Sequence, residues 1–148
     1  MEIDSFDTAI LRELAADGRL PATELARRIG LSKTPVLARI RRLEQAGVIR
    51  GYRANLDPVK LGRAHVAFVE VRLSDTREPA LQAFNKAVLA LEEVEECHMI
   101  AAHFDYLLKV RCSDIGSFRR VLGEKISTLP FVTATSTHVA MDAVKDQT

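Results

Sequence analysis

Tryptophan is absent from this chain of 148 residues, and cysteine occurs only twice. Two cysteines cannot form a disulfide-rich scaffold, and Cys97 and Cys112 lack the close spacing of a metal-binding pair. We therefore expect both to be buried thiols, because free cysteine behaves as a small apolar side chain. The hydrophobic share of 47% is sufficient for a core, which excludes a wholly disordered chain.

Long apolar runs are also missing. No stretch approaches the roughly 18 residues that a membrane-spanning helix needs, and the start, "MEIDSFD", has neither the basic nor the apolar region of a signal peptide. The sequence therefore predicts a cytoplasmic protein without a membrane partner.

A large net charge is likewise absent, since the formal charge is +1. This near-neutrality averages two unlike halves: residues 1–63 hold 12 basic and 8 acidic side chains, whereas residues 64–148 hold 9 and 12. Within residues 27–53, eight side chains are basic and only Glu44 is acidic. Such asymmetry is expected of a nucleic-acid-binding segment, although a basic run is more often a solvated face.

Three amphipathic helices are predicted in the first half. The first follows a capping residue, Asp4, and a short second helix lies between Pro21 and Gly30. The third follows Ser32 and ends near Gly47. Two helices joined by a short glycine-containing turn, with a basic outer face on the second, are typical of a helix-turn-helix. An ordinary three-helix bundle with a charged surface is the alternative.

The third helix has one apolar side and one side on which basic side chains alternate with small ones. Pro35 falls in its first turn, where backbone N–H groups have no intrahelical partner, so the proline does not break the helix. We expect its small side chains to read bases and its basic side chains to contact phosphates, together with Arg50 and Arg53 beyond Gly47. The residues predicted to bind double-stranded DNA are Ser32, Lys33, Thr34, Pro35, Ala38, Arg39, Arg42 and Arg50. The following "VIRGYRANLD" predicts a strand or small wing.

The second half changes to a pattern of strands and helices in the order βαββαβ, which is the ferredoxin-like arrangement with both helices on one sheet face. The fold class is therefore α+β: a winged helix-turn-helix domain (1–54), a linker (55–64) and a ferredoxin-like domain (65–148). Apolar residues remain on the other sheet face, among them Phe68 and Met141. A homodimer that stacks sheet on sheet would cover them.

The stretch "ELARRIGLSKTPVLARIRRLEQAGVIRGYRANLDP", followed by a second half containing "CHMIAAHFDYLLKV", resembles the leucine-responsive/asparagine-synthase regulators, the Lrp/AsnC transcription factors, over essentially the whole chain. This resemblance implies DNA binding, a C-terminal domain that binds small effectors, typically amino acids, and dimers that assemble further, commonly into octamers. The segment "KTPVLARI" is similar to a subset of the family that activates catabolism of proline or branched-chain amino acids.

The turn "AAHFDY" is the predicted effector site. Many members of the family carry a glycine and then an acidic or polar residue before "DYLL", and here Ala102 and His103 stand there. An amino acid needs an anion for its ammonium and N–H donors for its carboxylate. We expect Asp105 to supply the anion and the backbone around the turn to supply the donors. The predicted effector-binding residues are Ala102, His103, Phe104, Asp105, Thr133 and Thr135, with the two threonines in an adjoining subunit.

Two other functions stay open at this point. An architectural DNA-binding protein without an effector would fit the altered turn. A small ferredoxin-like enzyme is less favoured, because the four histidines have no nearby nucleophile or carboxylate spacing that would give them catalytic roles. We therefore predict a regulator with no catalytic residues, no cofactor and no metal site.

Overall fold

A computed structural model describes residues 1–146, so the last two residues of the predicted second domain lie outside it. The chain forms two compact units, Met1–Asn55 and a second that begins at Leu56. None of the helices within residues 1–146 has the length and apolar character needed to cross a membrane.

The first unit contains three helices: α1 (Ser5–Ala16), α2 (Ala22–Ile29) and α3 (Lys33–Gln45). Asp4 caps α1 as predicted, since its side chain accepts the N–H of Asp7 while the Asp7 carboxylate accepts the N–H of Asp4. Gly30 ends α2 with φ 77°, which glycine adopts without strain. The helices pack around a small apolar core, which consists of Ile10, Leu25, Ala26, Val36 and Leu43.

The predicted strand after α3 does not form. Gly47 (φ 73°) reverses the chain, and the N–H groups of Val48 and Ile49 donate to the carbonyl of Leu43. Residues 48–56 then run without a regular hydrogen-bonding pattern. An alternating sequence becomes a strand only where another strand offers a ladder, and no such partner lies in this unit of the described chain.

The second unit is an antiparallel sheet with helices on one face. Its elements are β1 (His65–Leu73), α4 (Glu78–Val88), β2 (Val94–Met99), β3 (Tyr106–Cys112), α5 (Ile115–Val121), a π-helical turn (Leu122–Ile126) and β4 (Val132–Val139). The strand order β2-β3-β1-β4 confirms the predicted ferredoxin-like topology. Because strand side chains alternate, every second residue of β1 lies in the core beneath the helices. These core residues are Ala67, Val69, Val71 and Leu73.

The opposite, open sheet face carries both apolar and charged side chains. Phe68 is 37% exposed there. Two cations of β3 on this face, Lys109 and Arg111, are buried. Both pair with Asp146, at 2.8 and 2.6 Å, and Arg111 also pairs with Glu95 at 2.5 Å. The hydrogen bond from Lys109, followed by that from Arg111, lowers the pKa of Asp146.

Phe131, directly before β4, has a left-handed backbone conformation with φ 65°. Its carbonyl accepts the N–H of Ser74 at 2.8 Å, which ties the end of β1 to the start of β4. The side chain is nearly half exposed, so packing does not explain an aromatic residue in this conformation.

Candidate nucleic-acid interface and ligand cleft

The first turn of α3 presents an exposed polar edge. Ser32, Lys33, Thr34 and Ala38 are exposed and Pro35 is half-buried. Ser32 is the N-cap by position, yet its side chain makes no capping hydrogen bond. Its hydroxyl and the first N–H groups of α3 are therefore available to an outside acceptor, and helix N-termini favour anions such as phosphate.

Arg39 and Arg42 are already engaged within the first unit. Arg39 Nη1 donates to Asp4 Oδ2 at 2.7 Å and to Asp7 Oδ1 at 2.9 Å. Arg42 Nη2 donates to Asp7 Oδ2 at 2.6 Å. The N–H of Asp7, followed by the guanidinium of Arg39, lowers the pKa of Asp4, and in turn Asp4 and Asp7 raise the pKa of Arg39. Arg39 and Arg42, both predicted to contact phosphates, thus also connect α3 to α1, which the sequence pattern did not reveal.

Four basic side chains in and just after α3 make no ion pair with any residue of the described range 1–146. Lys33 and Arg50, both predicted to contact DNA, belong to this group and are exposed. Arg41 and Arg53 share the property. The sequence pattern puts Arg41 at the edge of the basic face of α3 and Arg53, in the segment after Gly47, within reach of phosphates. Together these four cations are the uncommitted positive charge around α3.

A small cleft of about 190 Å³ opens on the second unit, between the open face of β1, the turn before β3 and β4. Its lining residues are Glu70, Arg72, His103, Phe104, Ala134, Thr135 and Ser136. Three of them, His103, Phe104 and Thr135, belong to the predicted effector site. Glu70 and Arg72 were missed, although two charges spaced by two on an otherwise apolar strand were a usable signal.

Two histidines flank the Glu70 carboxylate. His103 Nε2 lies 3.1 Å from Oε1, and His138 Nε2 forms a short hydrogen bond with Oε2. The hydrogen bond from His138, with the nearby charges of both histidines, lowers the pKa of Glu70. The cleft therefore holds a carboxylate that is ionised at neutral pH.

The turn of residues 101–105 is held by Arg72, whose Nη2 and Nε donate to the carbonyl of His103 at 2.7 and 3.2 Å. Within residues 1–146, the N–H groups of Ala102, His103 and Phe104 have no hydrogen-bond partner. Ala102 does not adopt a positive φ, so the turn follows a path that needs no glycine at this position.

Asp105 and Thr133 do not line the cleft. Asp105 Oδ2 accepts the N–H of Leu73 at 2.7 Å, and its own N–H donates to the carbonyl of Val71. The aspartate therefore joins the turn to β1. Thr133 is exposed at the irregular start of β4, where the register with β1 shifts.

The two cysteines and the two remaining histidines, His65 and His98, lie outside the cleft lining and contact ordinary protein groups. Burial raises the pKa of both the Cys97 and the Cys112 thiols, in agreement with their prediction as apolar residues. His65 packs against the ring of Phe118 at 5.5 Å, and His98 pairs with Glu96. No group of three or more His, Cys, Asp or Glu side chains in the described part of the chain is arranged to hold a metal ion.

A helix-turn-helix unit with unpaired cations within residues 1–146, followed by a ferredoxin-like unit with a polar cleft, is the arrangement expected of a DNA-binding regulator with an appended ligand-binding domain. Family models agree. The model of the Lrp/AsnC ligand binding domain matches residues 66–148, and that of a winged helix-turn-helix DNA-binding domain matches residues 3–50. The chain belongs to the Lrp/AsnC family of transcriptional regulators, which confirms the resemblance and the fold class predicted from the sequence.

Individual relatives are regulators as well. The chain is 61% identical over 145 residues to the proline dehydrogenase transcriptional activator of Rhodobacter capsulatus, covering 98% of this chain and 94% of that protein. It is 46% identical to the leucine-responsive regulatory protein of Escherichia coli, covering 97% and 88%. A transcriptional regulator of Neisseria meningitidis solved as a complex with L-Met superposes with a TM-score of 0.92 at 29% identity, covering 99% and 95%. The enzyme alternative is therefore set aside.

Proposed function

We propose that this DNA-binding transcriptional regulator responds to an amino acid and controls genes of amino-acid metabolism, with proline catabolism as the first candidate. The 61% identity to a proline dehydrogenase activator over almost the whole chain supports the choice of pathway. The observation that carries the sensor function is the cleft, where the Glu70 carboxylate and the Arg72 guanidinium lie beside a turn whose backbone N–H groups at 102–104 have no partner within residues 1–146.

On the DNA side, α3 is the proposed recognition helix. Thr34, Pro35 and Ala38 are small enough for close approach to bases, and Ser32 supplies a hydroxyl at the helix start. Lys33 and Arg50 supply phosphate contacts, since they are exposed and unpaired within residues 1–146. Arg39 and Arg42 complete the set predicted from the sequence. Arg39 pairs with two carboxylates of the first unit and Arg42 with one, so Arg42 has more N–H groups available for DNA.

On the effector side, the chemistry of a free amino acid matches the cleft. Its ammonium would pair with Glu70, and its carboxylate would accept N–H donors from residues 102–104 and from Arg72. Phe104 and Ser136, which is opposite Glu70, would contact the side chain. Thr135, opposite the core-facing Val71, would contribute its backbone. The sequence pattern favoured Asp105 as the ammonium partner, and both carboxylates remain testable, because only one oxygen of Asp105 is committed to Leu73. Thr133 would have to act from an adjoining subunit.

The proposed assembly is a homodimer that associates further into an octamer, which a mass measurement in solution tests. The proposed location is the cytoplasm. Residues 1–54 are the proposed DNA-binding domain, 55–64 the linker, and 65–148 the effector and oligomerisation domain. The partly exposed aromatic ring of Phe68, on a sheet face that no helix of the second unit covers within residues 1–146, supports a partner on this face.

Calorimetry against the twenty amino acids, beginning with proline, leucine and methionine, tests the sensor function. We expect wild type to bind at least one of them, Glu70→Gln to lose most of this binding, and Asp105→Asn to retain it, since the amide oxygen can still accept from Leu73. The opposite pattern would assign the ammonium to Asp105. If wild type binds none of the twenty, the architectural reading, a DNA-binding protein without an amino-acid effector, replaces this proposal.

A further inference from the structure

Asp7 is the one charged residue that is completely buried in the first unit of the described chain, where the other buried residues are apolar. A buried carboxylate is costly unless its oxygens are paired and hydrogen-bonded. The start of α1 does not require this burial, because Asp4 already provides the stronger capping bond, 2.8 Å against 3.2 Å for the return bond to Asp7. The capping box alone therefore does not account for the burial of Asp7.

The two arginines that pair with Asp7 lie one turn apart on α3. Arg39 bonds to one carboxylate oxygen and Arg42 to the other. A single ion pair would fix only a distance between α1 and α3. Two attachment points on one side of α3 also fix its rotation about its own axis, and this rotation determines which side chains of α3 face outward.

Arg39 and Arg42 differ in how exposed their guanidinium groups are and in how many N–H groups remain free for DNA. Arg39 is held by two carboxylates, and its Cζ lies 5.4 Å from the centre of the Phe6 ring, so its side chain is only 25% exposed. Arg42 has a single carboxylate partner and is 50% exposed. Its guanidinium therefore keeps N–H groups that are not used within residues 1–146.

We propose that Asp7 is a positioning residue for DNA recognition: it sets the rotation of α3 and orients Arg42 toward a phosphate, while Arg39 acts only as an internal strut. This inference rests on the proposed role of α3 as the recognition helix. It differs from the sequence-based expectation, in which both arginines contact phosphates.

The first test compares Asp7→Asn with Asp4→Asn. Both variants lose one negative charge next to Arg39, and asparagine caps a helix as well as aspartate, but only Asp7 contacts Arg42. The probes are a duplex selected by the wild-type protein from a random pool and a scrambled duplex of equal length. We expect Asp7→Asn to bind the selected duplex roughly tenfold or more weakly, with scrambled-duplex binding unchanged or tighter. Asp4→Asn should stay within about twofold of wild type on the selected duplex. Equal changes for both variants on both duplexes would overturn the positioning role.

The second test stays decisive if Asp7→Asn loses its helical circular dichroism. It measures how affinity for the selected duplex depends on salt in Arg39→Ala and Arg42→Ala. Each lost phosphate contact makes the slope of log K against log salt shallower by about 0.9. We expect this change, per subunit, only in Arg42→Ala, whereas Arg39→Ala should weaken selected-duplex binding without altering the slope. Equal changes of slope, or unaltered affinity in Arg39→Ala, would overturn the division of roles.

A third variant separates failure of this inference from failure of the recognition-helix assignment. Thr34→Glu places an acid on the proposed DNA face of α3, more than one turn before Arg39 and two turns before Arg42, so it does not pair with either arginine. If it abolishes binding while the Asp7 and arginine variants behave like wild type, α3 still reads DNA and Asp7 does not position it. If Thr34→Glu also binds normally, α3 is not the recognition helix, and Asp7 then has no role in positioning it.

Discussion

Phe131 shows how one backbone conformation determines which substitutions a site tolerates. With φ at 65°, any residue with a Cβ is strained there, whereas glycine is not. Phe131→Gly and Phe131→Ala both remove the ring, so their comparison isolates the backbone. We expect the glycine variant to be about 1 kcal/mol more stable than the alanine variant in urea unfolding. Equal midpoints would mean that the strain is relieved by local adjustment of the chain.

At this scale the sequence predicts which residues lie on a face more reliably than it predicts their partners. Helical periodicity placed Arg39 and Arg42 on the outer side of α3, but their acidic partner lies 32 and 35 residues earlier, on α1. Likewise, Glu70 meets His138 only because β1 and β4 pair in a given register. Neither encounter follows from local spacing, because both depend on tertiary packing.

At the scale of an element, α2 depends on a cluster of charges around Glu24. Its carboxylate accepts hydrogen bonds from Arg27 and Arg28, and these hold its pKa at about 2. Arg28 also bonds to Glu13 of α1 at 2.9 Å. Because the pKa is lowered in the folded state, the resulting stabilisation is present above the unfolded pKa of about 4.3 and is lost as the pH falls toward 2.

We therefore expect Glu24→Gln to lower the thermal midpoint at pH 6, with a difference from wild type that shrinks as the pH falls below about 4.3 and vanishes near pH 2. Thermal unfolding followed by circular dichroism over this range measures it. Glu2→Gln is the matched control, since Glu2 is exposed and has no ion pair within residues 1–146. A pH-independent difference for Glu24→Gln would show that helix propensity, and no charge interaction, is responsible.

Element types were predictable where a long periodic pattern or a clear cap was present. The three helices and the four strands of the ferredoxin-like unit follow from such patterns. The segment after Gly47 alternates just as a strand does, yet it has no neighbouring strand to pair with in its unit. Strand formation is decided by pairing between distant segments, and a single sequence window does not contain that information.

At the scale of the whole molecule, the open sheet face is where assembly can be tested. Phe68→Asp would remove the exposed ring and bury a carboxylate in a sheet-on-sheet dimer, beside the cross-strand neighbours Lys109 and His138. The lost hydration costs several kcal/mol unless the carboxylate is fully paired. We expect light scattering to show a smaller particle and DNA affinity to fall, since each subunit alone holds one half-site. Met99→Asp is the control, because Met99 is 58% exposed and pairs with the core-facing Tyr106, on the other side of the sheet. An unchanged mass for Phe68→Asp would place the dimer interface elsewhere.

The pairing of Asp7 with two arginines of α3 also bears on protein engineering. Designers often exchange a recognition helix between regulators to change the operator that is read. Here such a graft would fail if the incoming helix lacked arginine at positions 39 and 42, because Asp7 would remain buried without a counterion. The exchangeable unit is therefore α3 together with the first turn of α1.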